Sequence, residues 1–234
     1  MTETKRTLVI MAKAPRVGWV KTRLAGSLTL EEVTELYRCL LNDTISLAQS
    51  LGHVNVEIMC PAADVEELSS AVPKTVTIVP QTGEGLAAGL DSVFAHFAVS
   101  GQRRVIAFNS DSPHLPASSL MSAFDLLEAC DLVIGPTHDG GYFLVGAKAS
   151  YPNLFTREGM GTANALEALL TRARTLGVSL QMTDPFYDID MEGDLTRLAA
   201  ELRLAPARAP RTAKLLKQWE RQAEEHLRID AGDL

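Results

Sequence analysis

Three short stretches of this chain concentrate the side chains able to do chemistry. The first is Lys13-Ala14-Pro15-Arg16-Val17-Gly18-Trp19-Val20-Lys21-Thr22-Arg23-Leu24, which sets four cations around a single glycine. Arginine can fork two hydrogen bonds onto phosphate oxygens, and lysine adds a point charge. The loop therefore suits a di- or triphosphate, the plain alternative being a solvated basic loop. It lacks the G-x-x-x-x-G-K-[ST] spacing of a P-loop. The second stretch is Phe108-Asn109-Ser110-Asp111-Ser112-Pro113, where Asp111 is either a turn former or a carboxylate able to hold Mg²⁺. The third is Tyr187-Asp188-Ile189-Asp190-Met191-Glu192-Gly193-Asp194. In extended chain Asp188 and Asp190 point to one side, so together they could complete a metal site with Asp111. Glu192 and Asp194 are better suited to complementing a helix dipole.

Two glycine-rich pieces accompany these. Gln81-Thr82-Gly83-Glu84-Gly85-Leu86 closes a strand and opens a helix, so its amides and Gln81 could meet a base or ribose. His138-Asp139-Gly140-Gly141 reads as a tight, hairpin-like turn between strands, with Asp139 left as a candidate base. Gly159-Met160-Gly161-Thr162 is a weaker candidate for the acceptor side. His53, His96, His114 and His226 are scattered and carry no expected role, and Phe94, Phe97, Phe124 and Trp219 read as packing.

The elements that must position these stretches alternate. Strands are expected at residues 7–13, 54–60, 75–79, 103–109, 132–135, 142–145 and 178–182. Helices are expected from Thr29, with Glu32 completing a capping box, to about Leu51, and at 62–71, 85–98, 116–130, 162–176, 194–202 and 210–227. Leu86, Leu90, Val93, Phe94 and Phe97 fall on one face of the helix at 85–98. Alternation of this kind predicts a single-domain, Rossmann-like α/β fold, its mainly parallel mixed sheet flanked by helices on both faces. Ligands of such sheets bind beyond the carboxyl ends of the strands, where the polar stretches after strands one and four would meet. The expected division is a domain over 1–209 and a C-terminal helix and tail over 210–234.

Composition narrows the partners. The 234 residues include 22 basic and 29 acidic side chains, for a formal charge of −7, which argues against a nucleic-acid surface. A small basic patch on an acidic protein suits a small anion. No apolar run is long enough for a membrane span, and the five apolar residues from Leu8 to Ala12 are too few for a signal-peptide core. The expected compartment is the cytoplasm. Cys39, Cys60 and Cys130 form no CxxC pair and read as reduced, buried thiols. Oligomeric state is left open.

Taken in order, Lys13-Ala14-Pro15 with Gly18-Trp19-Val20-Lys21-Thr22-Arg23-Leu24, Ser110-Asp111-Ser112-Pro113, Asp139-Gly140-Gly141-Tyr142 and Asp188-Ile189-Asp190 resemble a bacterial family. This is the "transferase 1, radical-SAM/selenodomain-associated" group (DUF2064), also called arsenosugar-biosynthesis glycosyltransferases, and the resemblance spans about residues 6 to 200. The group is similar to 2-phospholactate guanylyltransferase and more distantly to the molybdenum-cofactor guanylyltransferase. The resemblance implies the nucleotide-diphospho-sugar transferase (GT-A-like) fold and a Mg²⁺ (or Mn²⁺) ion on Asp111 and Asp190, with Asp188 a third candidate. It implies phosphate contacts from Lys21 and Arg23, within a nucleotide site drawn from Lys13, Ala14, Pro15, Gly18, Gln81, Gly83, Gly85 and Ser110. Gly161-Thr162-Ala163-Asn164 departs from the Trp-Ser-Thr-like stretch of many relatives, which leaves the acceptor open.

Two reactions fit these residues. One is nucleotidyl transfer from a nucleoside triphosphate to a small phosphate- or phosphonate-bearing acceptor, with Lys21, Arg23 and Asp111 as the working groups. The other is glycosyl transfer from a nucleotide-sugar, with Asp139 deprotonating the acceptor. The dense basic loop favours the first. A nucleotide-binding module without catalysis is the rival from another class, and the joint presence of Lys21, Arg23, Asp111 and Asp190 argues against it.

Overall fold

The computed structural model of the chain describes residues 5–232. The start of the expected domain at residues 1–4, the end of the tail at 233–234, and the side chain of His226 lie outside the described residues.

Seven strands form one sheet: β1 (Arg6–Met11), β2 (Val54–Cys60), β3 (Thr77–Pro80), β4 (Val105–Asn109), β5 (Leu132–Pro136), β6 (Tyr142–Ala147) and β7 (Leu180–Met182). Their spatial order is β3-β2-β1-β4-β6-β5-β7. β1 pairs in parallel with β2 and β4, β2 with β3, and β5 with β7. β6 runs antiparallel to both its neighbours, β4 and β5. The sheet is therefore mixed, with six strands in one direction and β6 reversed between them.

Burial on both faces explains the apolar strands. In β1, Thr7, Leu8, Val9 and Ile10 are all buried, as a central parallel strand requires. Leu8 and Ile10 face α1 (Leu30–Gln49), α2 (Val65–Ala71) and α4 (Ala117–Ala129) through Leu41, Ile45, Leu68, Phe124 and Leu127. Val9 faces α3 (Gly85–Val99) and α5 (Ala165–Thr175) through Val93, Phe94, Phe97 and Leu169. α1 is covered twice. Its outer residues Val33, Leu36 and Leu40 pack under α6 (Glu192–Leu204) and α7 (Pro210–Gly232), against Leu198, Leu202, Leu215 and Leu216. Trp219 packs partly into this third cluster. α7 is locked at its start by buried Asp43 of α1, which accepts bonds from the Thr212 amide at 2.8 Å and hydroxyl at 2.9 Å.

Local signals set the boundaries. Thr29 caps α1, and its own amide donates to Glu32 Oε2 at 2.8 Å, completing the expected capping box. Residues 162–164 stay outside α5, because Gly159 and Gly161 adopt left-handed φ values of +78° and +73° and hold the segment as a loop. A 3-10 turn at Ala62–Asp64 precedes α2. Leu86 departs from the expected apolar face of α3: it lies in the first turn and remains exposed. Cys39, Cys60 and Cys130 are free thiols. No helix among the described residues is long and apolar enough to cross a membrane.

Candidate active site

Except for 159–162, which precedes α5, and the start of α6, the polar stretches singled out above directly follow strands at the carboxyl edge of the sheet. Residues 12–26 follow β1, 81–84 follow β3, 110–116 follow β4, 137–141 join β5 to β6, and 183–191 follow β7. The last segment reaches back across this edge. The Phe186 amide donates to Pro136 O at 3.0 Å, and Thr137 bridges to Phe186 as a short extension of the sheet.

Alternation then sorts the side chains of that segment. Ile189 is fully buried in the cluster under α6, while Asp188 and Asp190 face the other way. Asp194 in the first turn of α6 fixes their backbone, accepting from the Asp190 amide at 3.1 Å and the Met191 amide at 2.7 Å. Asp194 and Glu192 both fall in the first turn of α6, where their charge complements the helix dipole as expected. His114 fixes the segment from the β4 side. Its ring packs on Phe186 and Tyr187 with centroid separations of 4.9 and 4.4 Å.

Asp111, Asp188 and Asp190 converge on Lys21. The Lys21 ammonium pairs with Asp111 Oδ2 and with Asp190 Oδ1, the latter at 2.7 Å, and only 7% of its side chain is exposed. Arg23 pairs with the second oxygen of Asp190 at 3.2 Å. Burial alone would lower the Lys21 pKa, but the charges of Asp111 and Asp190 outweigh it and hold it above the usual range. Asp188 responds oppositely. Burial, then the negative charges of Asp111 and Asp190, push its carboxyl up to about 7. Lys21 also holds a left-handed backbone, φ +46° and ψ +38°, which in a non-glycine residue costs roughly 1 kcal/mol and persists only where surrounding contacts impose it.

The walls of the site are built from hydrogen bonds that the sequence does not advertise. Tyr37 of α1 accepts from the Lys13 amide at 3.1 Å and shares a 3.1 Å bond with the Ser110 hydroxyl, tying the β1 loop to the β4 loop. Buried Asp64 accepts from the Ala14 amide at 2.9 Å and from Arg16 Nη1 at 2.6 Å. Arg16 also donates to Glu67 at 2.6 Å, so this cation of the basic loop is committed to anchoring it. Lys13 is exposed beside the site, and Arg23 is 59% exposed at its rim.

The glycine-rich pieces differ in what they offer. Gln81 donates to Gly83 O at 3.0 Å and Gly85 O at 3.2 Å, so its amide nitrogen braces its own loop. Gly83 and Gly85 take φ values of +80° and +82°. A cleft of about 410 Å³ opens between Glu84, Gly85, Leu86 and Ala87 on one side and Arg157, Met160 and Gly161 on the other. Asp139 accepts from the Thr137 hydroxyl and from the Gly141 amide at 3.1 Å, and the Thr137 bond holds its carboxyl below the usual range. A carboxylate so stabilised is a weak base. Tyr37, Asp64, His114 and Arg157 were not singled out as site residues from the sequence; their roles come from contacts with distant segments.

The residues fit a small divalent cation. Three carboxylates face the two cations Lys21 and Arg23, one negative charge in excess when Asp188 is ionised, and Asp111 Oδ1 is buried with no hydrogen-bond partner among the described residues. An oxygen-only donor set suits Mg²⁺ or Mn²⁺. Among the described residues, no three acidic, histidine or cysteine side chains form a ready-made cage for a metal. Mg²⁺ needs none, since it is commonly held by one or two carboxylates together with water and substrate phosphates.

The fold is shared with solved transferases. A Desulfovibrio desulfuricans G20 protein, described provisionally as a nucleotide-diphospho-sugar transferase, superposes with a TM-score of 0.84 at 24% identity, covering 95% of this chain and 98% of that one. A nucleotidyl transferase from Methanothermobacter matches with a TM-score of 0.54 at 18% identity, over 86% of this chain and 99% of that one. A 4-diphosphocytidyl-2C-methyl-D-erythritol synthase from Anaerococcus prevotii DSM 20548 matches with a TM-score of 0.53 at 10% identity, over 84% of this chain and 95% of that one. At these identities the likeness establishes the fold. No curated protein matches the sequence. A family model described as "Uncharacterized protein conserved in bacteria (DUF2064)" matches residues 44–162, just over half of the chain and inclusive of Asp111 and Asp139, and the chain belongs to that family.

Proposed function

We propose that the chain is a Mg²⁺- or Mn²⁺-dependent nucleotidyltransferase, moving a nucleoside monophosphate from a nucleoside triphosphate to a small phosphate- or phosphonate-bearing acceptor. The observation that carries the reading is the meeting of Asp111, Asp188 and Asp190 with Lys21 and Arg23 at one point of the carboxyl edge. An acceptor oxygen attacks the α-phosphorus, the bond from that phosphorus to the bridging oxygen breaks, and pyrophosphate leaves with the electron pair. Lys21 and Arg23 offset the charge that builds on the phosphate oxygens. Held by Asp111 and Asp190, with Asp188 beside them, the metal would supply further charge neutralisation on those oxygens. No covalent enzyme intermediate is required, because positioning and electrostatics carry the reaction.

Glycosyl transfer is the second reading. The cleft between residues 84–87 and 157–161 has room for a sugar. That chemistry calls for a base near the acceptor, and Asp139, held below the usual carboxylate range by Thr137, is poorly suited to the task. Nucleotidyl transfer makes no such demand.

A melting-temperature screen with Mg²⁺, nucleoside triphosphates against nucleotide-sugars, separates the readings. A ligand present at a hundredfold excess over its dissociation constant stabilises by about 2.7 kcal/mol, or roughly 5–10 °C for a chain of this size. A triphosphate that stabilises only with metal supports nucleotidyl transfer and names the base. Stabilisation by nucleotide-sugars alone would replace that reading with glycosyl transfer.

A further inference from the structure

The geometry points to Lys21 as a built-in substitute for the metal cation: its ammonium neutralises Asp111 and Asp190 in the metal-free protein, and a divalent cation entering the site must expel it. The inference rests on the metal reading above and specifies how the site loads.

Three observations and one electrostatic argument carry it. Lys21 Nζ pairs with one oxygen of each of the two carboxylates that would hold the metal, and it is almost wholly buried there. A divalent ion between the same oxygens would stand against a like charge in a poorly screened place, so the two cannot share the position. The backbone of Lys21 is left-handed at φ +46°, a sparsely populated conformation for a non-glycine residue that surrounding contacts must hold. Finally, the segment carrying Lys21 is suspended between firm anchors. Arg16 is pinned to Asp64 and Glu67 on one side, and Leu24 is buried on the other. Between them Gly18 takes φ +77°, and Trp19 is 72% exposed. Val20 beside it packs into the core, so what can turn outward without disturbing the sheet is the Lys21 side chain on its flexible four-carbon stem.

Exchange has a chemical consequence. While Lys21 is paired with carboxylates it has little attraction for a phosphate. Once displaced it stays tethered within a few residues of the site, as a free ammonium beside a bound metal. Metal loading therefore creates the phosphate-binding cation, and the order of events becomes metal first or metal with nucleotide, never nucleotide alone.

The test uses the full chain stripped with a chelator and then titrated with Mn²⁺, whose binding is counted by electron paramagnetic resonance. Lysine acetylation by a water-soluble reagent is read residue by residue by mass spectrometry. Lys21 should be protected without metal and become labelled several-fold faster at saturating Mn²⁺, while exposed Lys74 keeps its rate in both states. Lys21→Met should bind Mn²⁺ more tightly, by roughly tenfold or more, because nothing has to be expelled. Mn²⁺ bound with Lys21 still protected overturns this inference and leaves the metal site standing. Failure of millimolar Mn²⁺ to bind at all overturns the metal reading and the inference together.

Discussion

His114 offers the sharpest check on how the site is held together. Its ring is fully buried against Phe186 and Tyr187, and neither ring nitrogen has a partner among the described residues. Burial pulls its pKa from 6.5 down to about 4, with Glu201 opposing and Arg197 and Arg208 adding to the effect. The unfolded chain therefore binds a proton between pH 6.5 and 4 that the native protein refuses. Stability from this group is complete above pH 6.5, declines as pH falls, and is lost once pH passes about 4. The span corresponds to about 3 kcal/mol at 1.36 kcal/mol per pH unit. Asp188 works in the opposite sense: with its carboxyl raised to about 7, the native state gains stability as pH falls from there toward the ordinary carboxylate range. Comparing wild type with His114→Phe cancels that contribution, since Asp188 is present in both. Urea unfolding at a series of pH values from about 7.5 to 4 should show the variant gaining on wild type by about 3 kcal/mol across the series. Phenylalanine fills the same aromatic cluster and orphans no partner, so the variant should hold its fold at neutral pH. If the two proteins lose stability in parallel, His114 is not the buried neutral group described here, and its part in fixing Asp188 and Asp190 needs another account.

Other perturbations bear on the site directly. Asp111→Asn should abolish metal-dependent turnover while leaving the melting curve of the apo protein cooperative; wild-type rates in the variant would remove Asp111 from the metal site. Apparent Mn²⁺ affinity should fall as pH drops below about 7, because a proton on Asp188 removes negative charge from beside Asp111 and Asp190, and a flat profile between pH 6 and 8 would show that Asp188 does not bear on the metal. Lys21→Ala should weaken triphosphate binding more than nucleotide-sugar binding in the same melting assay, whereas equal losses would count against nucleotidyl transfer. Gly140→Ala drives a Cβ into the Ala163 carbonyl oxygen at a φ of +88°. It should cost roughly 2–4 kcal/mol, seen as a melting temperature lower by about 5–10 °C, and an unchanged value would show that the turn yields freely.

The sequence was readable where structure is local. The capping box at Thr29 and Glu32, the span of β2, and the opposed directions of Ile189 and its flanking aspartates all follow from neighbours a few residues apart. The convergence of loops at the carboxyl edge follows from α/β alternation. The reversal of β6 against β5 was readable from the short turn between them, since parallel neighbours need a longer crossover, but the insertion of β6 between β4 and β5 depends on long-range pairing that no short window encodes. The basic loop shows the same limit at the site. From composition Arg16, Lys21 and Arg23 look equivalent, yet Arg16 is bound to Asp64 and Glu67, Lys21 is buried between carboxylates, and Arg23 is half in solvent. Gln81 likewise looks free in sequence and turns out to brace Gly83 and Gly85. Partners far away in the chain decide which polar groups are already satisfied.

The two rims of the sheet have a bearing on behaviour at high concentration. An unpaired strand edge is a template for a second molecule, and long flat ones invite aggregation. Here the outermost strands are β3, four residues ending in Pro80, and β7, three residues long. Five longer strands lie between them with both sides paired. Proline offers no amide to an incoming chain, and edges this brief can join few rungs of a ladder. A parallel sheet is slow to assemble and vulnerable while it does so. Short borders leave little to seed fibrils once the central strands have closed.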